Sequence, residues 1–193
     1  MPRREQLLAA AARLMAERGY HGVGIDDLGA ATGTSGPALY RHFASKSAVL
    51  GALLVGISER LLAEGLRRQG AADGPADALE ALVQWHVEFA TTQPDLIRVQ
   101  DRDFASMAVA DQRQVRRLQR RYVELWVDQL RALAPQLPEE DARTAVHAVF
   151  GLLNSTPYSG RRLHAPDTAL LLRRLGSAAL GDLVRAPASA GSA

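Results

Sequence analysis

Apolar residues recur along the chain at spacings of three and four, and no stretch sustains the period-two alternation of a half-buried strand, so nearly every segment is predicted to be helical. A first helix is expected from about Arg3 to Arg18, with Leu7, Leu8, Ala11, Leu14 and Met15 on its buried face and Gly19 as its C-terminal cap. A short second helix spans about Ile25 to Thr32; Asp26 and Asp27 stand where the helix dipole favours negative charge, and Gly33 closes it. A third covers about Ser35 to Phe43, with Pro37 in the first turn, where a missing N–H costs nothing. Ser45 then offers an N-cap to a fourth helix reaching about Arg68.

Residues Gln69 to Pro75 concentrate turn formers without apolar periodicity and are expected to connect helices. Further helices are predicted near Ala76–Thr92, Asp95–Met107, Gln112–Leu133, Glu139–Leu153 and Pro166–Val184, each bounded by Pro, Gly or Asn. The small, polar residues 186–193 are expected to form a disordered tail.

A chain of 193 residues can bury a full core, and 47% apolar with 23% charged residues is ordinary for a globular protein. No run approaches the ~18 apolar residues of a membrane span, and the N-terminus leads straight into an amphipathic pattern, so a cytoplasmic location is expected, without a membrane partner. The absence of cysteine excludes disulfides, thiolate chemistry and cysteine-based metal sites. No nucleophile elbow, P-loop, dinucleotide fingerprint or His-Glu-x-x-His string is present, and the five histidines lack metal-ligand spacing. A non-enzymatic chain without a cofactor is expected, against the alternatives of an enzyme on a helical scaffold or a helical binding protein without DNA recognition. The net charge of +2 says little about partners, because a patch of charge matters more than the total. The sole lysine, Lys46, lies inside the most informative stretch.

Two short helices joined through Gly33-Thr34 have the geometry of a helix-turn-helix, whose second helix enters the major groove while the first braces it. Leu28, Leu39 and Phe43 can form the small core between them, and Gly29 and Gly33 let the backbones approach and turn. The longer string sharpens this. Leu39-Tyr40, Phe43, Ser45-Lys46 and Leu50 follow the spacing of the DNA-binding signature of the TetR family, which residues 19–50 closely resemble. Two departures are Val23-Gly24 where the family places a Thr or Ser cap, and Gly29 where it places alanine.

The resemblance implies an all-α fold with an N-terminal three-helix helix-turn-helix domain over residues 1–48 and a helical ligand-binding and dimerisation domain over 49–185. It implies a repressor that binds a palindromic double-stranded DNA operator as a homodimer and is released by a small apolar inducer, acyl-coenzyme A among the candidates. Tyr40 and Lys46 match positions that hold DNA phosphates, which suits a phenol and an ammonium, although Tyr40 could also be a core aromatic. Thr34, Ser35, Gly36, Pro37, Ala38, Arg41 and His42 match base-facing and flanking positions. Arg41 fits either a guanine edge or a phosphate, and Pro37 and Ala38 suit thymine methyl groups.

The same resemblance makes Trp85, His86, Phe89, Phe104, Met107, Tyr122, Trp126 and Phe150, with Asn154, candidates for the inducer site. His86 and Asn154 would be its polar anchors; the alternative is that these rings and His86 simply fill the core. Arg113, Arg116, Arg117, Arg120 and Arg121 form one helical stripe, either a solvated face or a clamp for an anionic ligand group such as the phosphates of coenzyme A. The apolar positions Ala142, Ala145, Val146, Val149 and Phe150, with Leu170, Leu171, Leu175, Ala178 and Ala179, resemble the pair of helices that forms the family's dimer interface, here residues 139–184.

Overall fold

A computed structural model describes residues 3–33, 41–159 and 165–185. Among these, every regular element is a helix: α1 Arg3–Arg18, α2 Ile25–Thr32, α3 Lys46–Gly70, α4 Pro75–Thr92, α5 Pro94–Asp103, a 3₁₀ turn Phe104–Ser106, α6 Val109–Leu133, α7 Glu139–Leu153, α8 Thr156–Ser159 and α9 Ala165–Arg185. The described residues within 1–59 and 95–118 form one compact unit, and those within 60–94 and 119–185 a second. The expected positions Thr34, Ser35, Gly36, Pro37, Ala38, Leu39 and Tyr40, and the tail at 186–193, lie outside the described residues.

The capping chemistry of the first unit follows the sequence. Gly19 takes the left-handed conformation at φ +80°, which a side chain would resist, and its N–H closes on the Met15 carbonyl at 2.8 Å. Gly24 has no side chain to cap α2, so Asp27 supplies the reciprocal half alone, its Oδ2 accepting the Gly24 N–H at 2.7 Å. Ser45 Oγ accepts the Ala48 N–H at 3.0 Å and starts α3 as expected. Leu7, Ala11, Leu14, Met15, Leu28, Phe43, Val49, Leu50 and Leu54 are buried, and Leu8 is only half-buried. Residues 41–43 are not helical, against the expectation of a helix reaching Phe43: the Phe43 ring goes into the core and the chain must turn to meet the Ser45 cap.

The helix expected over 95–107 breaks at Asp103, and Phe104–Ser106 tightens into a 3₁₀ turn. The cause lies far away in sequence. The buried Asp103 carboxylate accepts the Tyr20 N–H at 3.1 Å, while the neighbouring Arg102 guanidinium donates to the Met15 and Ala16 carbonyls in the last turn of α1. Ser47 Oγ adds a bond to the Ser106 carbonyl at 3.3 Å.

In the second unit α9 packs against both α4 and α7. Glu80 on α4 receives Arg173 at 2.6 Å and Ser177 at 2.7 Å from α9. Arg143 of α7 joins Glu124 of α6 and Glu139 of its own helix. The apolar centre is built from Leu82, Val83, Trp126, Leu130, Val146, Val149 and Leu153, all nearly inaccessible. Thr156 Oγ1 ties α8 to the Ala90 carbonyl of α4 at 2.7 Å.

Candidate functional site

Of the positions expected to face DNA, Arg41 and His42 are exposed in a turn, and Lys46 stands half-buried at the start of α3. Its ammonium donates to the Tyr20 carbonyl at 2.9 Å and the Val23 carbonyl at 2.8 Å, and lies 4.3 Å from the centre of the Tyr20 ring. A lysine carries three donors. Two hold the α1–α2 turn in place, which leaves one for a phosphate oxygen. The sequence signalled the charge of Lys46 but not this bracing role, nor that of Arg102 and Asp103, because all three act through backbone groups that carry no sequence pattern.

A cluster of rings occupies the second unit. His86 of α4 stacks on Phe150 of α7 at 4.7 Å and 15°, and on Tyr122 of α6 at 5.9 Å and 20°. Trp126 meets His86, Tyr122 and Phe150 edge-on at 6.0, 6.1 and 4.9 Å, and Phe89 meets His86 edge-on at 5.7 Å. Edge-to-face and offset contacts at these separations are attractive beyond simple burial. Gly65 on α3 makes the arrangement possible, since a Cβ there would sit 2.8 Å from Tyr122 Cε2. His86 Nε2 lies 3.1 Å from Asn154 Oδ1; an amide oxygen only accepts, so this nitrogen carries the proton. His86 Nδ1, Tyr122 Oη and Trp126 Nε1 are buried with no hydrogen-bond partner among the described residues. A lost hydrogen bond to a buried polar atom costs about 1–3 kcal/mol, so three of them in one place are a demand that packing alone does not meet.

Burial holds the His86 imidazole at a pKa of about 4, against the partial compensation of its Asn154 contact, and pushes the Tyr122 hydroxyl well above its ordinary value. Both groups are therefore neutral at physiological pH. An unfolded chain with an ordinary histidine near 6.5 binds the proton first, so stability is present in full above that value and falls as pH drops from about 6.5 towards 4. Urea midpoints measured across this window should reveal a loss of roughly 2–4 kcal/mol attributable to His86, and His86→Phe should flatten that part of the profile. An identical profile in the variant would show that the imidazole is not buried in its neutral form.

The remaining expected ligand residues fall elsewhere. Trp85 is half-buried, its Nε1 donating to the Leu61 carbonyl at 3.2 Å and its ring lying beneath the Arg68 guanidinium. Arg68 is held in turn by Glu64 and Glu88, and Glu64 is lowered to about 2 by its hydrogen bonds from Arg67 and Arg68. Phe104, half-buried under Arg116, and the buried Met107 belong to the first unit. Arg113, Arg116, Arg117, Arg120 and Arg121 are all exposed on α6, without an acidic partner among the described residues. Among those residues no group of three or more His, Asp or Glu side chains is gathered as a metal site, and no helix is long and apolar enough to cross a membrane.

The two C-terminal helices divide their apolar residues. Ala142, Val146 and Val149 of α7 point inward and are buried, with Ala145 and Phe150 half-buried. On α9, Leu170, Leu171 and Leu175 are exposed by 58%, 44% and 45%, with Ala178 and Ala179 beside them. Ala148 and Gly151 are the small exposed positions of α7.

A model described as "Bacterial regulatory proteins, tetR family" matches residues 7–53, and one described as "Tetracyclin repressor-like, C-terminal domain" matches residues 72–158. The transcriptional activator FasR of Mycolicibacterium smegmatis is 50% identical over 44 residues, 23% of this chain and 20% of FasR, so the chain matches only a fifth of that relative's length. The regulator PfmR of Thermus thermophilus superimposes with a TM-score of 0.79 at 25% identity, over 91% of this chain and 97% of PfmR. The regulator FadR of Bacillus subtilis, solved in complex with stearoyl-CoA, superimposes with a TM-score of 0.74 at 15% identity, over 94% of this chain and 97% of FadR.

Proposed function

The chain belongs to the TetR family of bacterial regulatory proteins, and from that premise we propose that it is a ligand-responsive repressor: a homodimer that binds a two-fold operator through residues 34–46 and releases it when a largely apolar molecule enters the ring cluster of its second unit. The observation that carries the ligand half is the meeting of His86, Tyr122, Trp126, Phe150 and Asn154, with three buried polar atoms lacking partners. The exposed apolar face of α9 supports pairing with a second copy, which a two-fold operator requires. Release follows if the ligand favours a dimer whose reading heads no longer match half-sites about 34 Å apart or a multiple of that.

FasR, a named activator, is matched over only 44 residues, a fifth of its length, so that likeness does not carry the sign of regulation. FadR was solved with stearoyl-CoA, and the exposed arginines of α6 offer guanidinium groups to the phosphates of such a ligand, so acyl-coenzyme A is tested beside uncharged apolar molecules. The experiment is a gel shift with the promoter upstream of the chain's own gene, with and without palmitoyl-coenzyme A and apolar organic extracts. Retardation by the free protein and release by an apolar fraction are expected. Linkage demands the reverse too: bound operator must weaken ligand binding by the same factor. A protein that binds apolar ligands yet never retards DNA would contradict the reading.

Lys46→Ala separates the two roles of that ammonium. With one N–H on a phosphate, removal should weaken binding to all DNA sequences alike and lower the slope of log affinity against log salt by roughly one unit. A weaker complex with an unchanged slope would make Lys46 a brace for the α1–α2 turn only.

A further inference from the structure

We infer that the ring cluster selects an uncharged, ring-bearing molecule with a hydroxyl group, an alcohol or phenol, in preference to a carboxylate or a simple carbonyl compound. This rests on the cluster being the ligand site of the proposed regulator, and it names the chemistry of the head group that the site receives.

The requirement follows from the three partnerless atoms. Because His86 Nε2 donates its proton to Asn154 Oδ1, Nδ1 presents a bare lone pair and can only accept. Trp126 Nε1 carries a hydrogen and can only donate. The Tyr122 hydroxyl does either, and it lies near enough to the Trp126 indole for the two to influence one another without closing a hydrogen bond of their own. A ligand that satisfies the set must donate one hydrogen to His86 and accept one from Trp126 or Tyr122. A hydroxyl does both through a single oxygen. A thioester or ketone oxygen accepts only, and leaves the imidazole lone pair buried and bare.

The surroundings exclude charge. His86, Tyr122 and Trp126 are each more than nine-tenths buried, and Arg68, the cation whose charge reaches Tyr122, is already held by Glu64 and Glu88, so a carboxylate would enter without a free partner. The near-parallel faces of His86, Phe150 and Tyr122, within 5–20° of one another, match the shape of a flat ring. Phe150 and Asn154 are only half-buried and mark the side of the cluster nearest solvent.

The test is calorimetric titration of the full chain with three matched probes: 2-naphthol, 2-methoxynaphthalene, which keeps the rings but has no hydrogen to donate, and 2-naphthoate, which is charged. The naphthol is expected to bind at least about tenfold more tightly than either of the others, since a site built to bond a hydroxyl rejects the analogue lacking it. In His86→Phe, which keeps a ring and removes the acceptor, naphthol affinity should fall to that of the ether. Tyr122→Phe is the control for folding: it removes an unsatisfied buried hydroxyl, should melt no lower than the parent, and should bind naphthol several-fold more weakly. Equal affinity for naphthol and ether, preference for the naphthoate, an unaltered preference in His86→Phe, or no binding of any probe would each overturn the inference. None of these touches the regulator reading, which fails separately, if the unliganded protein does not retard promoter DNA.

Discussion

Ala178→Glu is expected to turn the protein into a monomer and to lower its operator affinity by at least about 100-fold, because a two-headed grip loses its effective concentration when the heads part. Leu170, Leu171 and Leu175 leave an apolar stripe uncovered on α9, with Ala178 and Ala179 continuing it. Contiguous exposure of this kind marks a binding surface in a soluble protein. A two-fold interface presents each residue twice, so one substitution places two carboxylates in the contact, both losing water. Ala178 is exposed within its own chain, and glutamate is a good helix former, so the fold of each copy should be unaffected. Sedimentation velocity and circular dichroism together check this. Dimers that persist in the variant would move the interface away from α9.

Trp126→Ala should cost about 3–5 kcal/mol of stability, the usual penalty for emptying a core aromatic site, and lower the melting temperature by on the order of 10 °C. Trp126 is 0% exposed and touches His86, Tyr122 and Phe150. Trp85→Ala is the comparison. That ring is half-buried and gives up one hydrogen bond to Leu61 and its contact with Arg68, so its loss should be clearly the smaller. Chemical denaturation of both variants measures the difference; equal costs would mean that the ring cluster is not the centre of the second unit.

Most of the fold was readable from the chain because its helix boundaries are written in local chemistry. The ends of α1 and α2 follow from Gly19 and Gly33, both at positive φ, and the start of α3 from Ser45. α7 occupies the expected Glu139–Leu153 without adjustment. What local chemistry could not reveal is set by partners distant in sequence. The break at Asp103 depends on the Tyr20 N–H, and the resting position of Lys46 depends on carbonyls at 20 and 23. Periodicity gave Leu171, Leu175, Val146 and Val149 the same apolar status. Only the packing of α9 against α4 and α7 separates the buried pair on α7 from the exposed pair on α9.

The candidate ligand site was legible in part for the same reason. An apolar, aromatic helix face announces burial, and His86, Phe89, Tyr122, Trp126, Phe150 and Asn154 do meet. Helical spacing alone cannot tell a ring that joins this cluster from one that turns aside. Trp85 is next to His86 in sequence yet lies against Leu61 and Arg68, since adjacent helical residues point about 100° apart. Gly65 escaped notice because its contribution is the side chain that it lacks.

The central claim, that this chain reads DNA as a two-headed regulator, is tested most directly by selection from a pool of random duplex DNA with the purified, ligand-free protein. Successive rounds should converge on an inverted repeat whose half-sites are centred one helical turn, about 34 Å, or a multiple of it apart. Affinity for the selected site should exceed that for the starting pool by a factor on the order of 10³ or more at physiological salt. A pool that stays random after many rounds, or that is retained equally whatever its sequence, would contradict the account.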